Sequence, residues 1–154
     1  MNSKKAVRLL LFIFVAASVV MMIIKMSQRD NGSFADSGEI LPENVDIVYY
    51  FYTNDRCETC EKIERLTSET VKSGFENELS SGSLIWKTVN TDDEGNHHFL
   101  EDYDLYTKSV ILARFRNGKQ TTWKNLEDIW ALTEDETSFK TYITDEIKKF
   151  LESN

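Results

Sequence analysis

The chain has 154 residues, 41% of them hydrophobic, enough for one globular domain with a short appendage and too apolar for a disordered chain. Its formal charge of −8 is unevenly spread: residues 1–29 hold five basic side chains and no acidic one, while the remaining 125 carry 13 basic against 26 acidic. A body that acidic repels phosphate backbones, which excludes nucleic-acid binding, and two cysteines exclude a disulfide-built mini-protein.

Residues 9–24, LLLFIFVAASVVMMII, are sixteen residues without a charge. Lys4, Lys5 and Arg8 precede them and Lys25 follows. A basic leader before an apolar run is the pattern of a secretory signal or an uncleaved signal anchor. Ala6, Val7 and the aliphatic stems of Arg8 and Lys25 bring the segment to the ~20 residues that span a bilayer. Val15 and Ala17 form a poor cleavage site, so residues 1–26 are expected to stay as an anchor. The basic residues keep the N-terminus in the cytoplasm and send the rest across the membrane; cleavage would instead release the domain as a secreted protein. Residues 27–44, rich in Ser, Asp, Asn and Gly, are expected to form a flexible tether to a domain over 45–154.

Val45–Thr53 (VDIVYYFYT) is β-branched and aromatic in character and predicts a strand buried on both faces. After NDRCETC, the spacing of Ile63, Leu66, Val71, Phe75 and Leu79 predicts one long helix, broken at Ser81–Ser83. Leu84–Asn90 predicts a second strand, and Glu94–Tyr103 a short helix with Phe99, Leu100 and Tyr103 inward. Ser109–Arg116 predicts a third strand. Asn117-Gly118 signals a type I′ hairpin, returning along Lys119–Trp123. Thr133-Glu134-Asp135-Glu136 reads as a capping box with Thr133 as N-cap. It opens a terminal helix whose apolar stripe is Phe139, Tyr142, Ile143, Ile147, Phe150 and Leu151. The order βαβαββα predicts an α/β domain, a mixed sheet with helices on both faces, parallel where a helix joins two strands.

Cys57-Glu58-Thr59-Cys60 sits where the first strand hands over to the first helix. The first helical turn leaves unpaired N–H groups and a partial positive charge, which stabilise a thiolate. Cys57 is expected there and open to water. Cys60, three residues before Ile63, is expected on the buried face. An exposed attacking sulfur and a sheltered resolving one are what a dithiol couple needs. Arg56 favours the Cys57 thiolate, and Glu58, Glu61 and Glu64 oppose it. A structural disulfide closing so short a loop gains only ~2 kcal/mol of chain entropy. A zinc site wants four ligands, and the other N/S donors are the adjacent His97 and His98. Thiolate binding of a soft ion such as Cu(I), As(III) or Hg(II), by Cys57 and Cys60 alone or with His97 or His98, stays open beside redox chemistry.

Strand, Cys-x-x-Cys at a helix start and the βαβαββα order together resemble the thioredoxin fold over residues 45–152. The likeness extends through Val89–Asp92, Asn96, Asp102–Leu105, Ser109–Leu112 and Asn117-Gly118. Tyr50-Phe51, Arg56-Cys57, Thr59-Cys60, Ile63-Glu64, Trp86, Asn90 and Trp130 are also similar to a thioredoxin-like family labelled ArsF-type subunits of a nitrophenyl-compound nitroreductase. The resemblance implies thiol–disulfide exchange with protein thiols or disulfides, using Cys57 and Cys60 and no cofactor beyond their disulfide. Two departures stand out. Thioredoxins place a cis-proline at the start of the third strand, whereas this chain has no proline after Pro42 and offers Lys108, Ser109 or Val110, where a trans bond is expected. Six residues before Cys57, where thioredoxins hold a buried acid, stands Phe51, leaving proton relay to Glu61, Glu64 or water. An accessory subunit with incidental cysteines, presenting its acidic surface to a partner, is the remaining reading.

Overall fold

A computed structural model describes residues 41–153 together with Val15 and Ser18. Of the chain's two compact units, Met1–Ser33 and Phe34–Asn154, the first is described at Val15 and Ser18 alone, both helical and exposed. The anchor expected over 1–26, and the tether up to residue 40, otherwise lie outside the described residues. No helix among the described residues is long and apolar enough to cross a membrane.

In the second unit, β1 (Val45–Tyr52), β2 (Leu84–Asn90), β3 (Ser109–Arg116) and β4 (Lys119–Asn125) form one sheet in the order β2-β1-β3-β4. β1 runs parallel to β2 and antiparallel to β3, and β3 pairs antiparallel with β4. The parallel crossover expected between the second and third strands therefore does not occur, because β3 enters the sheet beside β1 and runs against it. The helices are α1 (Glu58–Gly74), α2 (Glu76–Ser81), α3 (His98–Asp102) and α4 (Glu136–Glu152). This mixed four-stranded α/β sheet is consistent with a thioredoxin-like fold.

The strand period divides the core in two. Val48 and Tyr50 of β1 and Val110 and Leu112 of β3 face α1 and α4, packing on Ile63, Leu66, Phe139, Ile143 and Ile147. Ile47, Tyr49 and Phe51, with Ile111 and Ala113, face the other way and are covered by Phe99, Tyr103 and Leu105 around α3. Both central strands are buried at every position but the last, which explains their mostly apolar runs.

Four expectations are corrected. The long helix breaks at Phe75, which leaves helical dihedrals (φ −134°, ψ 39°) and turns its ring into the core. The short helix over 94–103 is a 3-10 turn at Glu94–Asn96 followed by α3, and Leu100 faces outward. The capping box does not form. The Asp135 carboxylate caps α4 by accepting from the N–H groups of Thr137 and Ser138, while Thr133 donates to the Trp130 carbonyl and Glu136 pairs with Arg65 at 3.0 Å. A charged acceptor two residues later makes the stronger cap. The last tether residues are also held: Gly118 N–H donates to the Glu43 carbonyl at 2.9 Å, and Asn117 N–H to Asn44 Oδ1 at 3.1 Å. Asn117 and Gly118 both take positive φ, as the type I′ turn requires.

At the start of β1, a carboxylate is sealed in. Asp46 accepts from Arg114 at 2.9 Å and from Arg116 at 3.1 Å, and Arg114 also donates to the Phe150 and Ser153 carbonyls at the end of α4. The cluster ties β1, β3 and α4 together at the pole opposite the cysteines.

Candidate functional site

β1 ends in the middle of the sheet, and residues 53–56 carry the chain to Cys57. This loop is braced from β2. Thr91 donates its N–H (2.8 Å) and its hydroxyl (3.0 Å) to the Tyr52 carbonyl. Asn54 N–H donates to Asp92 Oδ2 at 2.7 Å, and Asn90 Nδ2 to Asn54 Oδ1 at 2.9 Å. The Asn90-Thr91-Asp92 run therefore fixes the approach to the cysteines.

Cys57 is the N-cap of α1. Its backbone is extended (φ −130°, ψ 158°), and its sulfur accepts the Cys60 N–H at 3.1 Å, the position a Ser or Asp side chain commonly takes. Cys57 is exposed, whereas Cys60 is 1% exposed and lies on the α1 face that buries Ile63 and Leu66. The two sulfurs are joined as a disulfide across a Cα–Cα distance of 5.0 Å. One sulfur thus meets solvent at a helix start while its partner is covered by the core, an arrangement that lets an incoming sulfur reach Cys57 alone.

Arg56 lies with its guanidinium 4.6 Å from the centre of the Tyr52 ring and is bonded to the Glu64 carboxylate. That hydrogen bond raises the Arg56 pKa, and it leaves the pair with no net charge beside Cys57. Glu61 stands exposed in the first turn of α1. Of the two relay candidates, Glu64 is therefore committed to Arg56.

Phe51 points away from α1. It stacks on Tyr49 and meets the tilted rings of Phe99 and Tyr103, with ring centres 5.1–5.4 Å apart, on the opposite face of the sheet. The side chain beneath the cysteines is its neighbour Tyr50, whose buried hydroxyl donates to the Cys60 carbonyl at 2.7 Å. Desolvation pushes the Tyr50 hydroxyl up to about 12, with Arg56 opposing and Glu64 and Glu61 reinforcing. Counting back from Cys57 missed Tyr50. The strand alternation, which sets residues 48, 50 and 52 apart from 47, 49 and 51, narrows the choice to two faces, and the packing of β1 on α1 selects that of Tyr50.

Ser109 pairs with Phe51 and Val110 with Tyr50, so the start of β3 lies at the sheet end that carries the cysteines. The described residues contain no cis peptide bond. The carbonyls at this edge are engaged by their own neighbours: Trp130 Nε1 donates to Lys108 O at 3.0 Å and Ser109 Oγ to Thr107 O at 2.9 Å. His97 and His98 turn to backbone carbonyls, His97 Nε2 lying 3.2 Å from Asp92 O and His98 Nδ1 2.9 Å from Gly95 O. Among the described residues no three His, Cys, Asp or Glu side chains converge as metal ligands, so the histidines and the cysteines do not form one set.

No protein-family model and no curated protein matches the chain. Among solved structures it is similar to thioredoxin-2 of the malaria parasite, described as a component of the parasite's protein secretion machinery. The identity is 17% over 63% of this chain and 88% of that one, with a TM-score of 0.40. It is also similar to a structure described as a malarial protein, at 18% identity over 60% of this chain and 98% of that one, with a TM-score of 0.36. Likenesses of that size carry no argument by themselves; the fold stands on the strand order and the site on its geometry.

Proposed function

We propose that the protein is a thiol–disulfide oxidoreductase whose Cys57–Cys60 pair cycles between disulfide and dithiol. The observation that supports this reading is the capping sulfur: Cys57 is exposed and bonded to a helical N–H, with Cys60 covered behind it. In the reducing direction the Cys57 thiolate attacks a partner disulfide. A Cys57–partner S–S bond forms, the partner's own bond breaks, and the departing thiolate takes a proton from water. Cys60 then attacks the Cys57 sulfur, the internal disulfide forms, and the partner's second thiol leaves. Two electrons pass from the dithiol to the partner, and the reverse sequence oxidises a partner dithiol; the reduction potential sets the direction. Helical N–H groups and the α1 dipole stabilise the thiolate at Cys57. Tyr50 anchors the first turn of α1 to the sheet through the Cys60 carbonyl.

We also propose that residues 1–26 tether the domain to a membrane with the cysteines outside the cytoplasm, a reading that rests on the basic leader and the apolar run over 9–24. That compartment permits disulfides to persist. Nitroreduction is not assigned, since the sequence carries no flavin-binding pattern.

Expressed in its own cells, full-length Cys60→Ser is expected to hold a partner through Cys57 as a mixed disulfide released by dithiothreitol, and Cys57→Ser/Cys60→Ser to hold none. If Cys60→Ser holds nothing and the wild-type chain exchanges with no disulfide in vitro, the redox reading fails.

A further inference from the structure

Arg56 precedes the exposed sulfur by one residue, yet its charge is taken up elsewhere. Its guanidinium lies 4.6 Å from the centre of the Tyr52 ring and is bonded to the Glu64 carboxylate. The two side chains are 31% and 28% exposed, so the pair is held against the protein. Glu64 follows Cys60 by four residues and Cys57 by seven, a spacing that keeps positions on one side of a helix. The bond from Arg56 to Glu64 therefore runs along the turns that carry both sulfurs. Beneath them, the Tyr50 hydroxyl is bonded to the Cys60 carbonyl and stands in the field of Arg56, Glu64 and Glu61 together. The pair is thus within electrostatic reach of the cysteine turn.

We propose that Glu64 is a positioning residue for the exchange: by holding the Arg56 charge it leaves the Cys57 thiolate less stabilised than Arg56 alone would make it, and so keeps the couple more reducing. The inference rests on the redox reading and deepens it. A cation beside a thiol favours the thiolate, and a carboxylate on that cation cancels the effect. The less the thiolate is stabilised, the more readily the dithiol gives up its two electrons and the more nucleophilic its sulfur is. The other charges around Cys57 do not replace Arg56. Glu58 and Glu61 in the first turn of α1, Asp55 before it and Asp92, which accepts the Asn54 N–H, are exposed carboxylates that oppose the thiolate. Lys108 stands just before β3, its carbonyl engaged by Trp130. The Cys60 N–H is then the group left to hold the thiolate.

The test uses the reduced full-length chain in mild detergent, with Glu64→Gln, Arg56→Gln and Arg56→Gln/Glu64→Gln. Iodoacetamide alkylates the exposed Cys57 and is uncharged, so the altered charges do not steer it; the rate is followed as pH is varied. A unit charge a few ångströms away through water moves a titration by about half a pH unit. Glu64→Gln frees the Arg56 charge, and the midpoint of its profile is expected about half a unit below wild type. Arg56→Gln leaves Glu64 alone, and its midpoint is expected about half a unit above. The double variant is expected to return to the wild-type midpoint, because it removes a pair with no net charge. Equilibration with glutathione reads the same order. There the dithiol gives two electrons and two protons to glutathione disulfide, the Cys57–Cys60 bond forms, and two glutathione thiols are released. At a pH about one unit above the wild-type midpoint, Glu64→Gln is expected to shift the ratio of dithiol to disulfide about threefold toward the dithiol. A Glu64→Gln midpoint equal to or above wild type, or a double variant that does not return, overturns the proposal while wild-type exchange with glutathione leaves the redox reading standing. A wild-type chain that no glutathione ratio oxidises fails at the redox reading itself, and the proposal falls with it.

Discussion

Replacing Tyr50 with phenylalanine removes one oxygen and leaves the ring in place against Tyr52 and the α1 face. At neutral pH the variant loses the hydrogen bond to the Cys60 carbonyl, a net loss of about 1 kcal/mol for a buried pair. Alkali reverses the comparison. Burial raises the folded-state pKa of Tyr50 to about 12, above the ordinary 10. The neutral phenol's contribution is therefore fully present below pH 10 and is lost as pH rises through 12. At about pH 11 the wild type has lost about 1 kcal/mol through this group, and phenylalanine has lost nothing. The expected result is a variant less stable than wild type by about 1 kcal/mol at about pH 8 and equal to it near pH 11. Urea unfolding of the oxidised full-length chain in detergent, followed by tryptophan fluorescence, measures both. The disulfide keeps the cysteines out of the titration, and the other buried tyrosines cancel in the difference. Equal stabilities at pH 8, or a gap that stays constant into alkali, would refute the placement of the Tyr50 hydroxyl beneath Cys60.

Asp46→Asn takes the charge from the sealed cluster and leaves Arg114 and Arg116 facing a neutral amide. A loss of about 3 kcal/mol is expected in urea unfolding at neutral pH. Asp46→Leu/Arg114→Met should recover most of it, and a single-variant loss below about 1 kcal/mol would mean the cluster is wet. Asp135→Ala tests the α4 cap. The Ser138 hydroxyl, then the Ser138 and Thr137 N–H groups, hold the Asp135 carboxyl below its usual range. Its contribution is present above the ordinary carboxylate pKa and is lost as pH falls through the lowered one. The melting temperature of Asp135→Ala should lie below wild type at pH 7, with the gap closing as pH falls through the lowered pKa; a gap that persists in acid would assign it to something other than the cap.

Much of this was legible in the chain because it depends on local pattern. The β-branched and aromatic runs located β1 and β3 to within a residue, since burial on both faces leaves few polar positions, and the buried Asp46 and Arg114 neutralise each other. Asn117-Gly118 announced its hairpin because few other residues take positive φ twice in succession. The i, i+3 spacing of Cys60 and Ile63 placed one sulfur inside, since a helix returns to the same face after one turn, and Cys57, ahead of the helix as its N-cap, stayed outside.

Other features were settled by contacts between segments far apart in sequence. Tyr50 came to lie under Cys60 because the register of β1 against α1 decides which strand face sees the helix, and counting along the chain carries no register. The cap of α4 moved to Asp135 because Thr133 and Glu136 found partners in Trp130 and Arg65. β3 runs against β1, an outcome of how the chain returns across the sheet. Leu100 turned outward because Phe99 and Tyr103 already fill the space against Tyr49 and Phe51. The sequence determined which sulfur meets water, because Cys57 stands ahead of the helix as its cap and Cys60 lies one turn in; the side chain beneath the pair was decided by tertiary packing, because only the folded sheet sets which face of β1 meets α1.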